Sequence, residues 1–340
     1  MPAFAGLTLA LALALAEGVF FAQQSGREAV REAGEGHLVL RRRVDLVIVP
    51  VTAKDQKGNL VDGLEQKNFQ LLEDGEEREI RFFSAERTPL SAVVLLDVDL
   101  SYRQMRRVEN TLGSLAHAFT PEDEQALYLF GERIRLLQPF TSEPENVLRA
   151  ALGKIPEGRR PGVAGPPLAG TSRIGGVPID PSQAMEFPSK PPPKRLHDAL
   201  FTAAQQLRSR PQERRRMVLI LSNGLNSSGN QLGFQEAAQA LTQSDVTVFV
   251  VHFNARWSWK RLDALSRYAR ATGGDVFHPK NLRTLDQLYG RITDQARYPY
   301  ILGFSPRLAD GKIHSLEVLL DRPKVKLLAR NSYLSPSPER

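Results

Sequence analysis

Beyond Pro89 the chain alternates short apolar runs with amphipathic stretches, and no other feature of the sequence restricts the fold as much. The pattern predicts strands over residues 92–96, 126–130, 217–221 and 246–251. It predicts helices after Ser101 and over 146–152, 196–207, 234–241 and 262–271. Apolar runs without polar alternation are strands buried on both faces, and strands spaced by helices pair in parallel with helices above and below the sheet. Residues 196–207 show the helical period plainly, with Leu196, Ala199, Leu200, Ala203 and Leu207 on one face.

The flanks are of a different kind. Residues 44–84 read as strand, turn, strand, and Asp74-Gly75 sits between two apolar-bearing arms as a hairpin turn whose residues both take positive φ. The tail, 298–333, returns to β, with turn signals at Asp310-Gly311 and Arg322-Pro323. Two β ends around an α/β middle predict one small β-sandwich built from both. Residues 156–193 hold 10 of the 23 prolines and six glycines without apolar periodicity, which marks a loop or disordered insert. The expected organisation is a signal peptide at 1–22, a linker at 23–43, the N-terminal β unit at 44–88 and the α/β domain at 89–297. C-terminal strands at 298–333 and a tail at 334–340 complete it.

Composition narrows the function. With 41% hydrophobic and 24% charged residues, 340 residues make a globular chain with ample core. Lys and Arg number 45 against 38 Asp and Glu, a formal charge of +7. The basic runs Arg41–Arg43 and Arg214–Arg216 each precede an apolar strand and read as solvated loop ends, so nucleic acid is not the expected partner. The apolar N-terminus ends at Ala22 in a signal-peptide pattern, although no Lys or Arg precedes it and Phe20 departs from the small residue of a cleavage site. It is shorter than the roughly 20 residues a bilayer demands. Export to the periplasm or the exterior, with no membrane span after cleavage, is the expectation. The chain has no cysteine, which neither supports nor opposes export. His37, His117, His197, His252, His278 and His314 show no paired metal spacing, and no G-x-S-x-G elbow or Gly-rich phosphate loop occurs.

The chemistry concentrates in "AVVLLDVDLSY", a buried strand that ends in Asp97, Asp99 and Ser101. The D-x-D spacing resembles the first motif of haloacid-dehalogenase-like phosphatases. That resemblance implies Asp97 as nucleophile, Asp99 as acid and base, and Ser222 as a phosphoryl ligand. Such sites also need a later acidic pair for Mg²⁺. "GGDVFHPK" offers Asp275 alone, with proline where the second acid belongs, so the phosphatase is the alternative and not the main reading.

A longer set of segments carries a second resemblance. "VDLVIVPVTAKDQKGNLVDGLEQKNFQLLEDGEEREIRFFSAERTPLSAVVLLD" is followed by "TPEDEQALYLFGERIRLLQPFT", "LHDALFTAA", "RRRMVLILSNG", "ATGGDVF", "YILGFSP" and "GKIHSLEVLL". In this order the chain is similar to bacterial exported von Willebrand factor A-related proteins. The resemblance implies a Rossmann-like, mostly parallel sheet with helices on both faces and a ligand face at the carboxyl ends of the strands. It also implies a metal-ion-dependent adhesion site of pattern D-x-S-x-S, with a threonine and an aspartate from two later loops. Asp97 and Ser101 match; the middle serine is Asp99 and the later aspartate is Asn223. The threonine position falls on Lys194 when Asp198 is the anchor, with Thr171 as a substitute.

An ammonium has donors and no acceptor, so Lys194 cannot ligate Mg²⁺. Either it turns inward and replaces the cation, or it points to solvent and the two aspartates cap the following helix. No cofactor is expected, Mg²⁺ is disfavoured, and Asp97, Asp99 and Ser101 are its only weak ligands. Trp257 and Trp259, on the loop after strand 246–251, either join this face as binding residues or fold beneath their own loop. The reading is a non-enzymatic, exported binding or adhesion module with a degenerate site, whose partner is another protein or an envelope macromolecule. A purely structural module stays open.

Overall fold

The computed structural model describes residues 46–156, 193–224, 229–253, 263–297 and 300–336, plus the short backbone ladder Arg173–Ile174 and Val177–Pro178. All of these belong to one unit, Asp45–Arg340. Expectations placed on residues 1–45, Thr171, Trp257 and Trp259 lie outside the described residues.

From the N-terminal side the strands are Val47–Lys54 (β1), Phe69–Glu73 (β2), Glu76–Arg78 (β3) and Phe82–Ser84 (β4). Asp74 and Gly75 join β2 to β3 with φ of +51° and +82°. Both signs are those of the two-residue turn that matches strand twist. The alternating middle follows as Leu90–Asp97 (β5), Tyr102–Asn110 (α1), Leu112–His117 (α2), Glu124–Phe130 (β6), Ile134–Thr141 (β7) and Pro144–Ala151 (α3). The ladder 173–174 with 177–178 is β8 and β9. Then come Leu196–Arg208 (α4), Arg215–Ser222 (β10), Phe234–Gln243 (α5), Val246–His252 (β11), Asp263–Thr272 (α6), Val276–Phe277 (β12) and Leu282–Arg297 (α7). The chain closes with Tyr300–Phe304 (β13), Ile313–Leu320 (β14), Lys326–Ala329 (β15) and Ser332–Leu334 (β16).

The central sheet runs β12-β11-β10-β5-β6-β7 and is parallel except at the β6–β7 edge. Counted in chain order within the sheet and read from β7, this is 3-2-1-4-5-6, the doubly wound order, whose switch point lies between β5 and β10. Strand β5 is buried along its length, and its side chains divide by parity. Leu90, Ala92, Val94 and Leu96 pack with α1, α2 and α7, whereas Val93 and Leu95 pack with α4, α5 and α6. Both faces are therefore covered by helices, as the uninterrupted apolar run demands.

The chain ends form two antiparallel sheets, β15-β1-β13-β4 and β16-β14-β2-β3. They share one core of Val49, Val51, Leu71, Leu302, Phe304, Leu316 and Tyr333, so strands from both ends of the chain bury a common face. The fold class expected from the sequence is the one observed.

Several particulars differ from that expectation. The segment 324–333 is not one strand: β15 belongs to one sheet and β16 to the other, with buried Arg330 at the crossing. Strand β7 carries Pro139 and half-polar residues, a pattern that an edge strand accepts because its outer donors are not needed by a neighbour. Helix α7 buries Leu285, Leu288, Tyr289, Ile292 and Ala296, a helical spacing that lies beyond the last helix expected from the sequence. The largest correction concerns Arg214–Arg216. They are not solvated loop ends: Arg215 and Arg216 open β10, all three are only partly exposed, and the Nε atoms of Arg215 and Arg216 are buried.

Candidate functional site

Asp97 is the last residue of β5 and Ser222 the last of β10, so the switch point brings both to the carboxyl end of the sheet. Asp97 is fully buried. Its Oδ1 accepts the Asp99 N–H at 2.9 Å, closing a tight turn. Its Oδ2 accepts from Ser222 Oγ at 2.7 Å, from the Asn223 N–H at 3.3 Å and from Lys194 Nζ. The sequence leaves the direction of Lys194 open; in the structure the side chain turns inward and is 3% exposed. Its ammonium also donates to Asn223 Oδ1 at 2.8 Å and stands 5.7 Å from the Phe130 ring centroid.

Backbone contacts fix Lys194 in this direction. The Arg195 N–H donates to Gly131 O at 2.9 Å, and Asn230 Nδ2 donates to Lys194 O at 3.2 Å. Asp198, in the first turn of α4, accepts the N–H groups of Gln231 and Leu232 and the Arg195 Nε, which ties the loop after β10 to the start of α4. Asn223 completes the bridge, since its Nδ2 donates to Asp99 O at 3.0 Å. The loops after β5 and β10 and the start of α4 thus close around one ammonium group.

Other expected residues take different places. Ser101, not the aspartates, caps α1: its Oγ accepts the Gln104 N–H, and Gln104 Oε1 accepts the Ser101 N–H at 2.9 Å. The same Gln104 donates from Nε2 to Phe253 O at 3.1 Å and joins α1 to the end of β11. Sequence reasoning missed Gln104, although its position three residues after Ser101 is the capping-box spacing. Asp99 contributes its backbone to the Asp97 and Asn223 bonds. Asp275 pairs with Lys54 of β1 at 2.6 Å, and so lacks the place that a phosphatase reading needs. His252, beside Ser222 across β10–β11, was also missed. Burial, with His278 and Lys194 nearby, pushes it down to about 4, so it is neutral at pH 7. Gly224 has φ +72°, and a Cβ there would meet His252 Nε2 at 2.6 Å, so the loop after β10 needs glycine at this point.

The donor set does not fit the metal that the adhesion-site resemblance implies. A hard divalent ion needs near-octahedral oxygen ligation at roughly 2.1 Å. Here the oxygens facing the centre, Asp97 Oδ2 and Asn223 Oδ1, already face an ammonium, and the Ser101 hydroxyl is engaged in the helix cap. Among the described residues no group of three or more His, Asp or Glu is placed to hold a metal ion. Nor is any described helix long and apolar enough to cross a membrane.

No protein-family model matches the sequence, and no curated protein matches it. Solved structures do. A von Willebrand factor type A protein from Catenulispora acidiphila is 11% identical, with 89% of this chain and 76% of that one covered at a TM-score of 0.45. An aerotolerance-related membrane protein from Bacteroides fragilis, carrying multiple mutations to serines, is 14% identical over 61% of this chain and 99% of that one, at 0.41. Proximal thread matrix protein 1 from the mussel byssus, with a zinc-occupied MIDAS motif, is 13% identical over 62% of this chain and 48% of that one, at 0.41. The α/β layer of this chain has a doubly wound strand order, an antiparallel edge at β7 and an aspartate at the switch point, and it is similar in fold to the von Willebrand factor type A structure.

Proposed function

We propose that the chain is a non-enzymatic protein-binding module whose adhesion-type face works without a divalent metal. The observation that carries the reading is the Lys194 ammonium between Asp97 and Asn223. A buried carboxylate needs a cation beside it, and a lysine supplies one covalently, so the face is ordered at any Mg²⁺ concentration. The phosphatase alternative is disfavoured by the same contacts. Asp97 Oδ2 accepts three hydrogen bonds in a fully buried setting, which leaves it poorly placed to attack phosphorus, and Asp275 is paired elsewhere.

The partner on this reading is another protein or an envelope macromolecule, met after export directed by residues 1–22. Immobilised full-length mature protein should retain the same envelope proteins in EDTA as in millimolar Mg²⁺. Retention that vanishes in EDTA would refute metal independence. Mg²⁺-dependent hydrolysis of p-nitrophenyl phosphate, lost in Asp97→Asn, would restore the phosphatase. Mature protein that still carries residues 1–22 would remove the export proposal.

A further inference from the structure

At the opposite end of the parallel sheet a cleft of about 460 Å³ lies between the first residues of β10 and β11 and the antiparallel strands β1, β4 and β13. That volume is in the range of small-molecule sites, which often lie between packed layers. One wall is apolar, with Ile48, Phe82, Phe249 and Ile301. The other is cationic, with Arg214, Arg215 and Arg216 against the single carboxylate of Asp245.

The arginines are not equivalent. Arg214 donates to the carbonyls of Leu90 and Glu122, and Arg216 to those of Ser244 and Arg210. Asp245 is held by Arg330, at 3.2 Å. The Arg215 backbone N–H donates to Pro89 O at 2.8 Å, but its side chain makes no hydrogen bond or ion pair among the described residues, and its Nε is buried without a partner. Gln295, 2% exposed and also on the cleft, has its Nε2 donor buried without a partner. Unpaired buried donors are rare in native proteins, because each has lost water without gaining an acceptor. Arg216 Nε, in the same cleft, is a third, and three such donors beside one open cleft call for an acceptor that enters it. Burial pushes the Arg215 guanidinium down to about 10, against the opposing pull of Asp245; it is still charged at pH 7.

We propose that this cleft binds a small amphipathic monocarboxylate, with its carboxylate on Arg215 and Gln295 and its apolar body against Ile48, Phe82, Phe249 and Ile301. The head is a monoanion because the Arg215 guanidinium has no partner at all among the described residues, while terminal nitrogens of Arg214 and Arg216 already donate to backbone carbonyls. Planar guanidinium and planar carboxylate match in a two-pronged geometry. The apolar wall gives the tail a place that a bare inorganic anion would leave empty. Nothing in this assignment depends on the Lys194 face, which lies at the other end of the strands.

The test uses the full-length mature protein with sodium octanoate, and with octanol and inorganic phosphate as comparisons. Octanoate should raise the melting temperature and move the Arg215 Nε–H resonance, while octanol and phosphate do neither at equal concentration. Arg215→Gln should weaken octanoate binding about tenfold or more, the loss expected for a charge-assisted contact. Phe82→Ala, at a half-exposed rim position, should weaken it less and serves if Arg215→Gln does not fold. Equal effects of phosphate would overturn the tail, and equal effects of octanol the head. Octanoate that leaves the Arg215 resonance unmoved, or binds Arg215→Gln unchanged, would overturn the site.

Discussion

The two ends of the parallel sheet each hold a cation, one buried and one partly buried, and they treat it in opposite ways. At the carboxyl end, Lys194 has a carboxylate and an amide oxygen as partners and fills the space between loops. At the amino end, Arg215 has no such partners among the described residues and borders open space. A buried ion with partners holds a structure together once formed, because removing either member strands the other. A buried ion without them contributes little to stability and stays available for a ligand. The comparison separates a cation that replaces a ligand's role from one that awaits a ligand.

The strongest way to break the comparison is Lys194→Ala. It leaves the Asp97 carboxylate fully buried without a cation, and urea unfolding should show a loss of about 3–5 kcal/mol. Lys194→Met with Asp97→Asn removes both charges and should recover most of that loss. A loss below about 1 kcal/mol in the single variant would mean that the pair is dispensable.

Next in size is conversion of the carboxyl end into a metal site. Asp99→Ser, Lys194→Thr and Asn223→Asp together should give a protein whose melting temperature rises with Mg²⁺. At a concentration about 100 times the dissociation constant the gain is about 2.7 kcal/mol. The unmodified protein should melt alike in EDTA and in Mg²⁺; a metal-dependent shift there would show that Lys194 yields to an ion.

Arg215→Gln sharpens the contrast from the other side. It removes a desolvated guanidinium with no partner, so stability should change by about 1 kcal/mol or less, and a small gain is consistent. If the loss rivals that of Lys194→Ala, the two ends do not differ as described.

The smallest effects are titrations of opposite sign. His252, held down to about 4 by burial, takes up its proton more readily when unfolded. Its contribution to stability is complete above about 6.5 and falls as pH drops towards 4. His314, in the sandwich, is raised by its hydrogen bonds to Asp74 and Asp310. Its contribution is complete below about 6.5 and is lost as pH rises through the raised folded value. Denaturation midpoints of His252→Asn and His314→Asn across pH 4–8 should therefore converge on wild type at opposite ends of the range.

Much of the framework was legible in the chain. The apolar runs around 92–96 and 217–221 have no polar alternation, and strands covered on both faces are their outcome. Asp74-Gly75 announced its hairpin because few residue pairs accept two positive φ values. Strand β7 was not legible, because an edge strand with Pro139 lacks the apolar signature of its neighbours. The split of 324–333 between two sheets was not legible either, since both halves carry the same local β pattern and only their partners differ.

The sequence by itself determined the layered α/β middle, the β ends and the placement of Asp97 at a strand tip, because periodicity and turn chemistry act over a few residues. Only the tertiary structure decided where the charges point. Lys194 lies 97 residues from Asp97 and 29 from Asn223, so no local rule relates their directions. The same holds for Arg214–Arg216, which look like a solvated run in sequence. They are partly buried because β1, β4 and β13, brought from both ends of the chain, stand over the amino end of β10. A side chain's charge is written in the sequence, but whether that charge meets water, a partner or an empty cleft depends on segments that only folding brings together.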